Sequence, residues 1–269
     1  MSPGSQQRSR QLAASWLLAI ALVFTANLAA MPPARAQDDA RNILKAMSDY
    51  VGTQNVISAT FDSDIEVITP DLQKVQFTSS GQLTLARPDK LRASRIGGYS
   101  DVELIFDGKT ATLFGKNINA FAQLDAPGSV DQLIDRLQNQ SALELPGADL
   151  LLSNAYDVLT SDVVDAKHIG QGVVDGIECE HLAFRGAETD WQLWIEIGPR
   201  PIPRKYVITS KAVTGGPQYT LRIKDWKTDA QLGGDAFVFK PPPDAKKTDV
   251  KALREIDEVP PGVVLGGKK

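Results

Sequence analysis

The sequence predicts a mainly β fold of the α+β kind: one strongly curved antiparallel sheet with helices on its concave side. Three observations lead there. Apolar and polar residues alternate with a period of two in segment after segment between 61 and 239. An antiparallel sheet with one wet face has that alternation, whereas a parallel sheet buried on both faces reads as continuous apolar runs. Two Asp-Gly pairs, Asp107-Gly108 and Asp175-Gly176, each separate two strand-like runs. That is a hairpin signal, because Gly readily takes positive φ. Finally, stretches near 38–51 and 129–153 carry helical periodicity, and an apolar helix stripe must cover another apolar face.

In chain order, the first 36 residues read as an export signal. Arg8 and Arg10 precede an apolar run from Leu12 to Ala30 centred on Trp16, Leu18 and Phe24, and Ala34-Arg35-Ala36 supplies a small-x-small cleavage site. The run is about long enough to anchor in a bilayer, but Ser15, Thr25 and Asn27 interrupt it and the cleavage site follows at the proper distance. No Cys stands at that point, which excludes lipid attachment there. The expected product is an exported, periplasmic chain of 233 residues, enough for one substantial core. The leader holds three Arg and no acid, so its removal takes the net charge from −4 to −7. A mildly acidic surface does not draw nucleic acid or anionic lipid by its net field, and no later run is long and apolar enough to span a membrane. Cys179, the only cysteine, cannot close an internal disulfide and reads as a small buried hydrophobe.

Within the mature part, Ala40, Ile43, Leu44, Met47 and Val51 form one helical stripe. The period then changes to two. Phe61, Ile65 and Val67 alternate with acids, and Val75, Phe77, Leu83 and Leu85 take the odd positions before and after 80. Strands are expected at 90–96, 102–106, 110–114 and 117–122. Ser129 with Gln132 makes a capping box ahead of the stripe Val130, Leu133, Ile134 and Leu137. A leucine-rich stretch to Leu152 extends this lid. Strands resume at 167–174, 177–184, 190–197, 204–210 and 218–227, with Trp191, Leu193 and Ile195 on one face and Tyr219, Leu221 and Ile223 on another inward row. Phe237 and Phe239 are expected to end a last strand. The domains are thus a signal peptide at 1–36, a single β domain at 37–245 and a flexible C-terminal tail at 246–269.

No reactive constellation emerges. Cys179-Glu180-His181 with His168 is the one cluster of soft ligands, and two ligands on one strand do not make a zinc site. Asp62, Asp64 and Glu66 lack the central Gly and terminal Glu of a calcium loop. Nucleophile elbows, phosphate loops and zinc-protease motifs are absent from the sequence. No cofactor, metal or catalytic residue is expected.

The run from Gly81-Gln82-Leu83 through Arg87-Pro88-Asp89-Lys90-Leu91-Arg92 to Phe106-Asp107-Gly108-Lys109-Thr110 resembles the core signature of the periplasmic lipoprotein carriers of the LolA/LolB-like group. Tyr219-Thr220-Leu221 and Phe237-Val238-Phe239-Lys240-Pro241-Pro242 are similar to that fold's closing strands. The middle, Cys179 to Arg185 and Asp190 to Glu196, is similar to the bacterial family termed domain of unknown function 2092, predicted periplasmic proteins. The resemblance spans Arg41 to Ala245. It implies a LolA-like unclosed β-barrel with a helical lid and an apolar cavity that holds acyl chains in the carriers, and it implies that Arg87 handles cargo. Thr84 and Thr112 depart from it, since the carriers are richer in aromatics there.

The expected function is therefore a periplasmic binding or carrier protein for a lipid, lipoprotein or other apolar ligand. The alternative is a non-enzymatic envelope interaction or sensor module with a packed core and a protein partner. The expected ligand-facing residues are Arg87, Phe61, Ile65, Phe77, Leu83, Phe106, Leu133, Leu137, Trp191, Leu193 and Tyr219. N-terminal sequencing of the exported protein is expected to begin at Gln37. A membrane-fixed product retaining Trp16 and Phe24 would refute the cleaved leader.

Overall fold

The computed structural model describes residues 33–140, 145–250, 253, 256–260 and 263. The apolar run from Leu12 to Ala30 read as an export signal lies outside them, and the expected cleavage site Ala34-Arg35-Ala36 falls within the first helix, Pro33–Thr53. The compact unit is Ala36–Lys269.

Helix α1 (Pro33–Thr53) leads into two long strands, β1 (Val56–Ile68) and β2 (Lys74–Ala86). They pair antiparallel along their whole lengths. Then come β3 (Lys90–Gly97), β4 (Asp101–Phe106), β5 (Thr110–Gly115) and β6 (Ala120–Asp125). Next are α2 (Val130–Gln140), a 3-10 turn at Ala148–Leu151, and α3 (Ala155–Thr160). The chain returns to the sheet as β7 (Asp165–Val174), β8 (Ile177–Arg185), β9 (Thr189–Glu196), β10 (Pro203–Ser210) and β11 (Gln218–Lys227), and adds β12 (Lys246–Lys247). All twelve strands form one sheet in the order β12-β6-β5-β4-β3-β2-β1-β11-β10-β9-β8-β7. Among the described residues β7 and β12 stand at opposite ends of that order and do not pair, so the barrel is unclosed, as the resemblance implied.

Local chemistry sets the turns. At Asp175-Gly176 both residues have positive φ, 49° and 81°, the twist that matches a two-residue hairpin. At Asp107-Gly108 the aspartate carboxylate accepts the Lys109 and Thr110 N–H groups at 3.0 and 2.8 Å. The capping box forms as expected: Ser129 N–H donates to Gln132 Oε1 at 2.9 Å, and Gln132 N–H donates to Ser129 Oγ at 3.3 Å. Register shifts at Ser58/Thr60, His168/Gly170 and Pro203/Lys205 interrupt the ladders, the kind of irregularity that bends and twists a sheet.

The register gives each sheet face its residues. Ile65 lies opposite both Phe77 and Tyr219, and Leu83 opposite Ala59 and Ala93. Odd-numbered residues of β2 therefore face inward; Leu85 is fully buried while Gln82 is exposed. On the concave side α1 lays down Ala40, Leu44, Met47 and Val51, all fully buried. Beside them α2 contributes Val130, Leu133, Ile134 and Leu137, and the 3-10 turn contributes Leu150. Sheet and cover share one core with Phe106, Leu182, Leu193 and Ile195.

Two expectations change at the C-terminus. Phe237 and Phe239 do not end a strand. They sit in a strap that crosses the convex face, where the Phe239 ring packs on Phe114 and Phe121 at 5.6 and 5.0 Å. The segment expected to be a flexible tail is partly ordered: β12 pairs parallel with β6, and Leu253 and Ile256 are buried against Val102 and Ala122. Charge and proline content suggested disorder, but three apolar side chains spaced through the tail suffice to dock it.

Gly81 marks a tight spot. A Cβ there would collide with the Phe61 ring and the Ser94 carbonyl. Gly81→Ala is expected to cost about 1–3 kcal/mol through overpacking, read as a lower urea midpoint. An unchanged midpoint would show that the Phe61 ring yields freely.

Candidate functional site

Most of the expected ligand-facing residues do converge. Phe106, Leu133, Leu137, Trp191 and Leu193 are buried in the main core, and Phe61, Leu83 and Tyr219 are half-buried against it. Ile65 and Phe77 share the same sheet face by register but lie toward its far end, where Phe77 meets Tyr99 edge-on at 5.8 Å. The Trp191 ring stacks on Phe184 at 3.9 Å, so it is packed by protein.

Under the cover Phe106, Leu133, Leu193 and Ile195 pack at no more than 2% exposure, while Phe61, Leu83 and Tyr219 stay half-buried. Between the sheet and the end of α2 the structure leaves a void of about 20 Å³, lined by Leu104, Ala111, Leu113, Leu124, Leu137 and Val250, room for about one water. A hollow of about 370 Å³ lies instead on the opposite side, between the strap and the convex face, lined by Arg92, Glu103, Phe114, Asp235, Val238 and Lys240 among others. α1, α2 and the 3-10 turn bring Leu44, Leu133, Leu137 and Leu150 onto the covered part of the concave face.

Arg87 is not a free charge at a pocket mouth. It follows β2 and precedes Pro88 across a cis peptide bond. Its Nη2 donates to the Leu151 carbonyl at 2.6 Å and to the Val51 carbonyl at 3.5 Å. Nη1 stands 3.7 Å from Asp131 in α2. One guanidinium thus ties the sheet to α1, to α2 and to the 3-10 turn. Nε is buried without a partner, and burial pushes the Arg87 pKa down while Asp131 opposes that. Asp131 in turn accepts the Ser153 N–H at 3.3 Å and the Ser153 hydroxyl. Farther along the cover, Ser48 Oγ of α1 accepts the Tyr156 N–H of α3 at 2.8 Å.

Sequence reasoning missed Asp149, which lies under the 3-10 turn. Its carboxylate accepts the Leu150 N–H at 3.1 Å and the Tyr206 hydroxyl at 3.3 Å. Burial pushes its pKa up to about 6, with those two hydrogen bonds pulling the other way. An acid between Ala148 and a run of leucines was the available signal. Also missed was Arg95, at an odd position of β3 where the inward pattern calls for an apolar residue.

The soft-ligand cluster goes to other partners. His168 Nε2 lies 2.6 Å from Glu180. His181 Nε2 lies 3.0 Å from Gln192 Oε1, and the ring stacks on Trp194 at 4.0 Å. Cys179 is fully buried and free. Burial raises its thiol pKa, which suppresses the reactive thiolate.

With this architecture in view, the class is that of a curved open sheet closed by helices. The chain belongs to the family of predicted periplasmic proteins named domain of unknown function 2092, whose model matches residues 40–251. The periplasmic location expected from the leader agrees with that family's description. Among the described residues no helix is long and apolar enough to cross a membrane. No curated protein matches the sequence. Among solved structures, an uncharacterized conserved protein from Thermus thermophilus is similar at 12% identity, with 78% of this chain and 99% of that chain covered and a TM-score of 0.48. The lipoprotein LppX of Mycobacterium tuberculosis is similar at 12% identity, covering 73% and 99%, with a TM-score of 0.38. MucB is similar at 17% identity, covering 76% and 63%, with a TM-score of 0.42; it is named from Pseudomonas aeruginosa in a complex with MucA.

Asp149 makes the cover pH-dependent. Its folded pKa of about 6 lies above the usual carboxylate value of about 4. Docking therefore favours the protonated acid. This stabilisation is full below about pH 4 and is lost as pH rises through about 6. Hydrogen exchange across 145–160, corrected for intrinsic rates, is expected to speed up from pH 5 to pH 7.5, and Asp149→Asn is expected to flatten that response. Equal pH dependence in both proteins would remove Asp149 as the cause.

Proposed function

We propose that this is a non-enzymatic periplasmic binding protein for a lipid, lipoprotein or other apolar ligand, which is taken up on the concave face when the helical cover lifts. The observation that carries this reading is the Arg87 tie. One side chain grips carbonyls of two separate cover segments, Val51 and Leu151, and faces the Asp131 carboxylate of a third. Backbone carbonyls hold it, so the grip needs no ligand. A cover held by a small set of polar ties, with Arg87 at their centre, can lift from an apolar face. The face beneath is built from Phe106, Trp191 and Leu193, surface that water disfavours and an acyl chain matches. The sequence resemblance to the lipoprotein carriers implies the same role.

A second reading keeps the cover closed and places function at a sheet edge. Among the described residues β7 has no strand on its outer side, and Val164, Ile169 and Val173 at or beside it are exposed. An apolar open edge can pair with a strand from another protein. Together with the packed Phe106, Leu133, Leu193 and Ile195 beneath the cover, it favours an interaction module.

Fluorescence of an apolar dye decides between them. The wild-type protein is expected to bind the dye, fatty acids are expected to displace it, and Arg87→Leu is expected to raise uptake severalfold with the far-UV spectrum unchanged. If neither folded protein takes up dye, the binding reading falls and the edge reading stands.

A further inference from the structure

We infer that the hollow between the strap and the convex face is a binding site for a zwitterionic α-amino acid with an apolar side chain. It lies on the other side of the sheet from the concave face, so the inference stands apart from the binding reading above.

The register builds the floor. Arg92 on β3 pairs with Thr84 and Ile105, and Glu103 on β4 pairs with Ser94 and Phe114. Their chain neighbours Leu91 and Leu104 pack in the concave core, so Arg92 and Glu103 stand on the convex face. Diagonal neighbours on one face are within reach of long side chains, and Arg92 Nε lies 2.8 Å from Glu103 Oε1. The strap builds the roof. It turns twice, with the Ala236 N–H bonded to the Gly233 carbonyl and the Val238 N–H to the Asp235 carbonyl. Arg92 Nη1 donates to the Ala236 carbonyl at 3.0 Å, Asp235 and Lys240 form an ion pair at 2.8 Å, and the Phe239 ring packs on Phe114 and Phe121. Roof and floor are thus fixed to each other without a ligand. They still enclose about 370 Å³, within the usual range of small-molecule pockets, about 300–1,000 Å³.

The unused groups name the ligand. Arg92 gives Nε to Glu103 and Nη1 to the strap, and Nη2 has no partner among the described residues. Glu103 is only 12% exposed, and its Oε2 stands 3.9 Å from Lys116 Nζ, beyond hydrogen-bond distance. A free N–H donor and a free carboxylate oxygen therefore remain at one ion pair. An α-amino acid carries the complement, a carboxylate and an ammonium on a single carbon. The charges around the hollow agree with this. Arg92 and Lys240 are balanced by Glu103 and Asp235. A simple anion meets two carboxylates there and a simple cation meets two bases, whereas a zwitterion can meet an opposite charge at each end. Beside them Phe114 and Val238 offer apolar surface. Val238 is left 48% exposed, and the side chain of the amino acid takes that surface out of water.

The test is calorimetric titration of the full mature chain with phenylalanine, with 3-phenylpropionate, which lacks the ammonium, and with phenethylamine, which lacks the carboxylate. Phenylalanine is expected to bind, and each analogue is expected to bind about tenfold more weakly, the loss of one charge-assisted hydrogen bond. Glu103→Gln is expected to abolish the preference for phenylalanine over 3-phenylpropionate. Val238→Phe fills the hollow from its exposed roof and removes no polar contact; it is expected to abolish phenylalanine binding with the far-UV spectrum unchanged. Phenylalanine is expected to leave the apolar dye on the concave face in place. The inference is overturned if phenylalanine does not bind at concentrations up to about 10 mM, or if all three compounds bind equally. It is also overturned if folded Val238→Phe binds phenylalanine as wild type does, or if phenylalanine displaces the dye. The comparison of the three compounds needs only the wild-type protein, so it decides even where a variant fails to fold. Uptake of dye and its displacement by fatty acids test the concave face separately.

Discussion

The constraint on which this structure depends is the apolarity of one face of a single curved sheet. Twelve strands that never close cannot hide that face against themselves, and a second sheet is not present among the described residues. Every segment outside the sheet is arranged around this need. Burying a large aliphatic or aromatic side chain is worth about 1.5–3 kcal/mol, so the rows headed by Phe106, Leu193 and Ile195 demand a cover. α1 arrives before the sheet, α2 through α3 interrupt it midway, and the tail returns after it. Three separate stretches of chain thus solve one problem.

Hydrophobic burial is not directional, so it does not say where each cover segment must stop. Polar ties do that. Arg87 reads three cover segments at once, and Ser48 and Asp131 fix the start of α3 and the end of the 3-10 turn by hydrogen bonds to Tyr156 and Ser153. Asp149 adds a tie to Tyr206 at a site whose burial disfavours the ionised acid, so its docking weakens as pH rises. The arrangement gives a cover that is apolar in its bulk and polar at its margins. Such a margin can be undone by one competing interaction while the bulk stays folded.

Much of the sheet could be read in the chain, because period-two alternation is a property of the backbone that one sequence displays directly. The two Asp-Gly hairpins and the Ser129–Gln132 capping box depend on neighbours only, and they form where they were expected. Parity also placed Leu83 and Leu85 inward. What parity does not reveal is long-range filling. Whether Leu133 and Leu137 meet Phe106 across a gap or in contact depends on how far the sheet curls, which the register shifts at β1, β7 and β10 help set. Arg87 was singled out through a resemblance, yet its partners, two carbonyls from distant segments, leave no side-chain signature. The tail was misread for a related reason. Its charges and prolines dominate the local composition, while Val250, Leu253 and Ile256 carry the docking.

The course of the C-terminal segment joins these points. After β11 it crosses the convex face, where Phe239 packs on Phe114 and Phe121 and Arg92 donates to the Ala236 carbonyl at 3.0 Å. It rounds the β6 edge as β12, covering the strand that would otherwise be left open. It then turns inward to Arg95. One segment therefore contacts both faces and one edge of the sheet. Its convex part is anchored by aromatic rings and its edge part by ladder bonds, and on the concave side Leu253 and Ile256 bury against Val102 and Ala122 while Glu258 pairs with Arg95. Local stability follows such differences in contact.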